Sequence, residues 1–258
     1  MSVVSRSSPW SIEPLSTVDP RMSIQDTSNL LAIECSQRTG SVALTRDGVD
    51  VEFIEFGSGG REEDLLLPSI DALLQRAELV PEQLSGIGLS IGPGGFTGLR
   101  IAVATAKGIA EVTGCPLYAV PSALVAAEAI RSGLATGDRV VVASAAKLDT
   151  CWLTPLECLE DGWKQLPGVG IHTILPPGPD VLAMCEGALL LADEHVPQGL
   201  HEGVSGVVVS RQEPRLDAAA CLRITVDMAR QGVSTDPLEL LPLYPREPEA
   251  VRSWRLRH

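Results

Sequence analysis

Gly92-Pro93-Gly94-Gly95-Phe96-Thr97-Gly98-Leu99-Arg100-Ile101-Ala102-Val103-Ala104-Thr105-Ala106-Lys107-Gly108 is the stretch whose reading decides the fold of this chain. In front of it, Ile87-Gly88-Leu89-Ser90-Ile91 predicts a short buried strand. Gly92, Gly94 and Gly95 let the backbone turn sharply and approach a neighbouring group, while Pro93 fixes one φ angle. Thr97 is expected to be the N-cap of a helix over 97–113. Strand, glycine turn and helix N-terminus in series suit an anion, because unpaired amides and the positive end of the helix dipole converge there. Gly92, Gly94, Gly95, Phe96, Thr97 and Arg100 are therefore the candidate contacts for an anion or, weakly, a nucleotide. The loop is not a Walker A motif, since no Gly-Lys-Ser/Thr follows it.

Within the expected helix, Gly98, Ala102, Ala106 and Ala110 recur every fourth residue and leave one face nearly bare, so a second element can approach closely. Arg100, Lys107 and Glu111 fall on a different, wet face. Two readings stay open at this level: the bare face packs inside the chain's own core, or it docks a partner protein.

Upstream, residues 30–36 and 41–46 around Arg38-Thr39-Gly40 suggest an antiparallel hairpin, with a third strand over Val49–Phe56. Leu66, Ile70, Leu73, Leu74 and Ala77 keep helical spacing, with Glu62, Glu63 and Asp64 near the helix start and Pro68 tolerable only in its first turn. After the central motif come a strand at Leu117–Val120 and a helix from Ser122. Downstream, Arg139–Ala145 reads as an apolar strand with Cys151–Cys158 as its hairpin partner. A helix is expected over Val181–Leu191, a buried strand over Gly206–Ser210, and a last long helix of this region over Asp217–Gln231.

The Gly-Pro-Gly-Gly-Phe-Thr-Gly-Leu-Arg run, with Lys107-Gly108-Ile109-Ala110 behind it, resembles the signature of the TsaB (YeaZ) family. Gly95 stands where that signature has Ser. Leu31–Ser36 with Ser41–Leu44 resembles the family's opening hairpin, Leu66-Leu67-Pro68 its first helix, and Pro242-Leu243-Tyr244-Pro245-Arg246-Glu247-Pro248 its C-terminal ending. The resemblance implies a two-lobed α/β fold of the actin/Hsp70/sugar-kinase (ASKHA) type with mixed sheets flanked by helices. It divides the chain into a leader at 1–28, a first lobe at 29–134 to which 238–258 returns, and a smaller second lobe at 135–237. It further implies a non-catalytic subunit that binds and stabilises a TsaD-type threonylcarbamoyltransferase in forming N6-threonylcarbamoyladenosine on tRNA. A small TsaE-type ATPase joins that complex, tRNA is met only through it, and self-association is expected when the partner is missing. In the family the docking surface comes from the first two helices, which here carry Leu66, Ile70, Leu73 and Leu74, and Gly98, Ala102, Ala106 and Ala110.

Two enzymatic alternatives are weaker. An ATPase or kinase of this superfamily wraps phosphates with a second glycine turn, yet Ala143-Ser144-Ala145-Ala146-Lys147-Leu148-Asp149 offers no glycine. Glu34 stands at a strand end where ATP-handling relatives keep Asp, and a hydrogen bond to the glycine loop or solvation is its expected role. A glycoprotease-like metallopeptidase would need clustered metal ligands, but His172, His195, His201 and His258 form no HExxH pair. No catalytic residue, metal or resident cofactor is expected.

Composition agrees with an accessory role. A net charge of −13 disfavours direct binding of nucleic acid over a broad surface, and Arg246, Arg252, Arg255 and Arg257 read as a solvated basic end. Six cysteines without CxxC spacing read as buried thiols of a reducing cytoplasm. No apolar run approaches the ~20 residues that cross a bilayer. Residues 1–28 have no apolar core of a secretory signal and are expected to be dispensable, with Met22 as an alternative start.

Overall fold

Leu30–Glu34 forms β1, and all five of its residues are buried because both faces of its sheet are covered. β2 (Gly40–Arg46) folds back antiparallel to it, with Ile33 opposite Val42, and β3 (Asp50–Phe56) continues the meander. On the other side of β1 lie β4 (Gly86–Ser90) and β5 (Leu117–Val120), both parallel to it, giving the order β3-β2-β1-β4-β5. The computed structural model describes residues 28–46, 50–57, 65–146, 149–244 and Trp254.

Helices α1 (Leu66–Arg76) and α2 (Phe96–Thr113) cover one face of this sheet. Their inward residues Leu66, Ile70, Leu73, Ala102 and Ala106 share a core with Ile33, Val42, Ile87 and Leu89. Pro68 is accommodated in the first turn of α1, where no intrahelical N–H is lost. α2 ends at Gly114, whose φ of +72° makes a left-handed C-cap. The opposite face of the sheet is covered by α3 (Ser122–Ala129) and α6 (Ala218–Arg230), whose Ala218, Cys221 and Leu222 pack on Leu30, Ala32 and Tyr118. Asp217 caps α6, accepting the Ala220 amide at 2.8 Å.

The second sheet has the order β11-β10-β6-β7-β8, built from β6 (Arg139–Ala145), β7 (Thr150–Leu159), β8 (Gly162–Gln165), β10 (Leu189–Ala192) and β11 (Ser210–Gln212), with β9 (Gly170–Thr173) paired to β7. Helices α4 (Pro179–Cys185) and α5 (Gln198–Val204) cover one face. The other face receives α3, whose Ala123, Ala126 and Ala127 meet Val140, Val142, Leu156 and Leu191. α3 is thus a wedge shared by both sheets, and its alanines permit the close fit. A polar clamp reinforces this seam. The buried Glu128 carboxylate accepts Trp163 Nε1 and Arg223 Nε, both at 2.9 Å.

Four sequence expectations change. The helix expected over Val181–Leu191 stops at Cys185, because Gly187 turns with φ +66° and β10 begins at Leu189. The strand expected over Gly206–Ser210 is a turn after α5, with the Val207 amide bonded to Val204 O, and the strand itself is the exposed β11. The last long helix belongs to the first lobe, since its apolar stripe is buried on β1, so the second lobe ends before α6 rather than at 237. The Thr97 cap is corrected below. Leu240 and Leu243 pack into the first core. Residues 1–27 of the leader expected at 1–28, the acidic residues 62–64 and the arginines at 246, 252, 255 and 257 lie outside the described residues.

Candidate functional site

The glycine loop between β4 and α2 is shaped by contacts with its own chain. Gly92 has φ +108°, and a Cβ there would sit 2.7 Å from the Leu243 carbonyl oxygen. A Cβ on Gly94 would sit 2.5 Å from the Ser36 carbonyl oxygen, and one on Gly98 would meet the Cys35 carbonyl oxygen. These neighbours are backbone and cannot swing aside, so the glycines admit the end of β1 and the C-terminal segment. The Gly95 amide donates to Ser36 O at 2.7 Å, and the Leu243 amide to Ile91 O at 2.6 Å. Gly95, not Thr97, holds the N-cap position; α2 starts one residue earlier than expected, and Thr97 lies exposed in its first turn without capping it. The Arg100 guanidinium lies 3.8 Å over the Phe96 ring and its Nε donates to the Tyr244 hydroxyl at 3.0 Å. The Phe96 and Tyr244 rings are 5.0 Å apart. The loop motif and the Pro242-Leu243-Tyr244 motif, far apart in sequence, therefore form one clasp.

Beneath the loop, Glu34 is fully buried. One oxygen accepts the Ser36 amide at 2.6 Å and the other has no protein partner. Burial is the main cause that pushes its pKa above the ordinary carboxylate value, against hydrogen bonds from Ser36 and Ser90, with Asp217 adding repulsion. The buried Cys221 thiol is the other titratable group coupled to it. In the folded chain Glu34 holds its proton at pH values where the unfolded chain has lost it, so stability falls as pH rises from about 4.5 through the raised folded value. Glu34→Gln, which keeps the shape without the charge, is expected to raise stability at pH 8 by about 1–3 kcal/mol and to change little at pH 4. Thermal unfolding of both proteins at the two pH values checks this, and equal melting points at pH 8 would contradict it.

Loop, hairpin and second lobe enclose a cavity of about 680 Å³. Ser36, Gln37, Arg38 and Gly94–Gly98 line it from the first lobe, and Asp193 and His195 from the second. Ala123, Ala126, Val142 and Leu216 add apolar lining. The β6 end facing the loop presents Val142–Ala146, with no glycine through which a backbone could wrap a second phosphate. Among the described residues no three His, Cys, Asp or Glu side chains lie together as a metal site. His172 instead bonds Gly168 O at 2.7 Å and faces Asp180 at 3.3 Å. None of the six cysteines forms a disulfide, and all six are buried.

The proposed docking residues require correction. Leu66, Ile70, Leu73, Leu74, Ala102, Ala106 and Ala110 are all buried in the first lobe's own core, and Gly98 abuts Cys35, so this stripe is the inward face of α1 and α2. Helical spacing reveals a bare stripe but not the side on which the sheet lies. The outward face of α2 carries a short stripe of small or apolar residues, the exposed Ala104, Gly108 and Val112 with the half-buried Ile101 and Thr105, flanked by the exposed Arg100 and Glu111 and the half-buried Lys107. Val112 is 77% exposed, and a Cβ on Gly108 would meet nothing within 4 Å. On the adjoining α1, Leu67 is exposed. Gly108 was the available signal, since a mid-helix glycine costs about 1 kcal/mol against alanine and no intrachain contact requires one here.

Residues 62–158 match the family model described as TsaD, tRNA N6-adenosine threonylcarbamoyltransferase. An uncharacterized protein of Mycobacterium tuberculosis is 31% identical over 186 residues, covering 72% of this chain and 75% of that one. The tRNA threonylcarbamoyladenosine biosynthesis protein TsaB of Bacillus subtilis is 36% identical over 94 residues, 36% of this chain and 41% of that protein. Among solved structures, YeaZ from Pseudomonas aeruginosa superposes with a TM-score of 0.70 at 22% identity, covering 84% of this chain and 99% of that chain. That likeness shows the two-lobed fold expected from the sequence.

Proposed function

Because the chain belongs to the TsaB (YeaZ) family, we propose that it serves N6-threonylcarbamoyladenosine biosynthesis as the non-catalytic subunit that binds and stabilises a TsaD-type transferase. The observation that carries the docking part is the outward face of α2. Ala104, Gly108 and Val112 form a shallow apolar stripe, and Gly108 keeps it bare without any intrachain reason. A second helix can approach such a stripe closely. The segment matching the TsaD family model contains α1 and α2, so a TsaD-type partner carries related helices, and two related lobes can meet face to face in pseudo-symmetry. This assignment keeps the two helices named by the family resemblance and exchanges the inward face for the outward one. Self-association through the same face, and entry of a TsaE-type ATPase and tRNA through the complex, belong to the same reading, as does a cytoplasmic location. No helix of the described residues is long and apolar enough to cross a membrane.

The accessory role is supported by the half-built phosphate clamp. The Gly95 amide is already engaged by Ser36 O, the β6 end that lines the cavity has no glycine, and burial pushes the Glu34 carboxyl above the usual carboxylate range. Reconstitution tests the reading. A TsaD-type subunit supplied with tRNA and threonylcarbamoyl adenylate should modify tRNA substantially faster with this chain than without it. The chain alone should modify none and should hydrolyse ATP negligibly. Modification by the chain alone, or steady ATP turnover lost on Gly94→Val, would contradict the accessory role.

A further inference from the structure

We propose that the two lobes are locked together as one rigid body, with Glu128 as the lock. The cavity between them then keeps one width instead of opening and closing about a hinge. Hinge motion needs a chain crossing that is free to turn, and here both crossings are pinned. The backbone enters the second lobe after α3 and returns before α6. At the first crossing, Arg131 Nη2 donates to the carbonyl oxygens of Leu159 and Glu160 at 2.8 and 2.6 Å, which ties the end of α3 to the turn between β7 and β8. At the second, Leu216 packs against the cores of both sheets, and the Ala218 amide donates to the Ser41 hydroxyl of β2 at 2.9 Å.

Glu128 joins the three elements that meet at this seam. It stands on α3, and its carboxylate accepts Trp163 Nε1 from β8 and Arg223 Nε from α6, each at 2.9 Å. Its carbonyl oxygen accepts Arg223 Nη2 at 3.3 Å, and Arg131 Nη1 lies 3.7 Å from the carboxylate. Both carboxylate oxygens are thus engaged in a residue only 8% exposed, where charge-assisted hydrogen bonds are little screened by solvent.

A second attachment makes the lock geometric. Trp152, near the start of β7, packs into the first lobe's core, whereas Trp163 pairs with Cys158 near the strand's other end. From Trp152 to Cys158 the strand rises about 20 Å. Tilting the second lobe by about 10° about either attachment carries the other by about 3 Å, which breaks a hydrogen bond of 2.9 Å. Rolling about the strand itself is opposed by α3, whose alanines are close-packed against Val140, Val142 and Leu156. None of these residues lies on the outward face of α2, so the lock is independent of docking.

Spin labels on Arg76→Cys in the first lobe and Val209→Cys in the second, both exposed positions, measure the separation of the lobes in the full chain by pulsed dipolar spectroscopy. The six native cysteines are buried and take no label. The labelled parent is expected to give one narrow distance distribution, and Glu128→Ala one at least about twice as wide. Arg223→Gln alters a half-exposed side chain and should widen the distribution less. In Glu128→Ala the amides of β8 should exchange with solvent at least about tenfold faster, as loss of hydrogen bonds to a charged group implies, with those of β1 and β4 unchanged. A broad or two-peaked distribution in the parent overturns the lock, as does a Glu128→Ala distribution as narrow as the parent's. Should Glu128→Ala fail to fold, an Arg223→Gln distribution as narrow as the parent's overturns it equally. Faster exchange spread evenly over both lobes also overturns it, because Glu128 would then support the fold as a whole and not the seam.

Discussion

Ala106→Arg is expected to unfold the first lobe. Ala106 is fully buried on the inward face of α2, in one core with Leu73, Ile87 and Leu89. An arginine there brings a charge with no partner and a volume the packed core does not hold, a combination that costs roughly 3–5 kcal/mol or more. Single domains have only about 5–15 kcal/mol to lose. The melting point should therefore fall by roughly 10 °C or more, or the protein should fail to accumulate in soluble form. Thermal unfolding measures this directly. A variant that melts with the parent and only loses its partner would return the inward stripe to the docking surface.

Gly108→Arg is expected to do the opposite. Nothing lies within 4 Å of the position a Cβ would take, and arginine is a better helix former than glycine by about 0.5–1 kcal/mol, so the melting point should hold or rise slightly. Binding to a TsaD-type subunit should weaken at least about a hundredfold, because a long side chain would be forced between closely packed helices where only a glycine leaves room. Val112→Asp places a charge one turn along the same face and should act in the same direction. The pair Ala106→Arg and Gly108→Arg separates fold from interface within a single helix, two residues apart.

The first lobe was legible in the sequence because its periodicities are strong. The apolar runs of β1 and β4, the glycine turn and the long α2 follow from spacing and φ requirements that few other arrangements satisfy. What spacing could not supply was orientation. Gly98-Ala102-Ala106-Ala110 and Ala104-Gly108-Val112 are both sparse stripes at the same interval, and only the position of the sheet assigns one to the core. α6 was legible as a helix but was assigned to the wrong lobe, since its alanines and cysteine carry no mark of the sheet they cover. The short β8 and β9 were not read because four residues, none of them buried, give no apolar alternation to detect. The glycine motif suggested an anion loop. Its glycines in fact make room for Cys35, Ser36 and Leu243.

Direct titration of the parent chain and Gly108→Arg into a purified TsaD-type subunit tests the central claim, that this chain is a docking subunit acting through the outward face of α2. The account predicts saturable one-to-one binding by the parent and at least a hundredfold weaker binding by Gly108→Arg at an unchanged melting point. No binding by the parent, or equal binding by the two proteins, would contradict it.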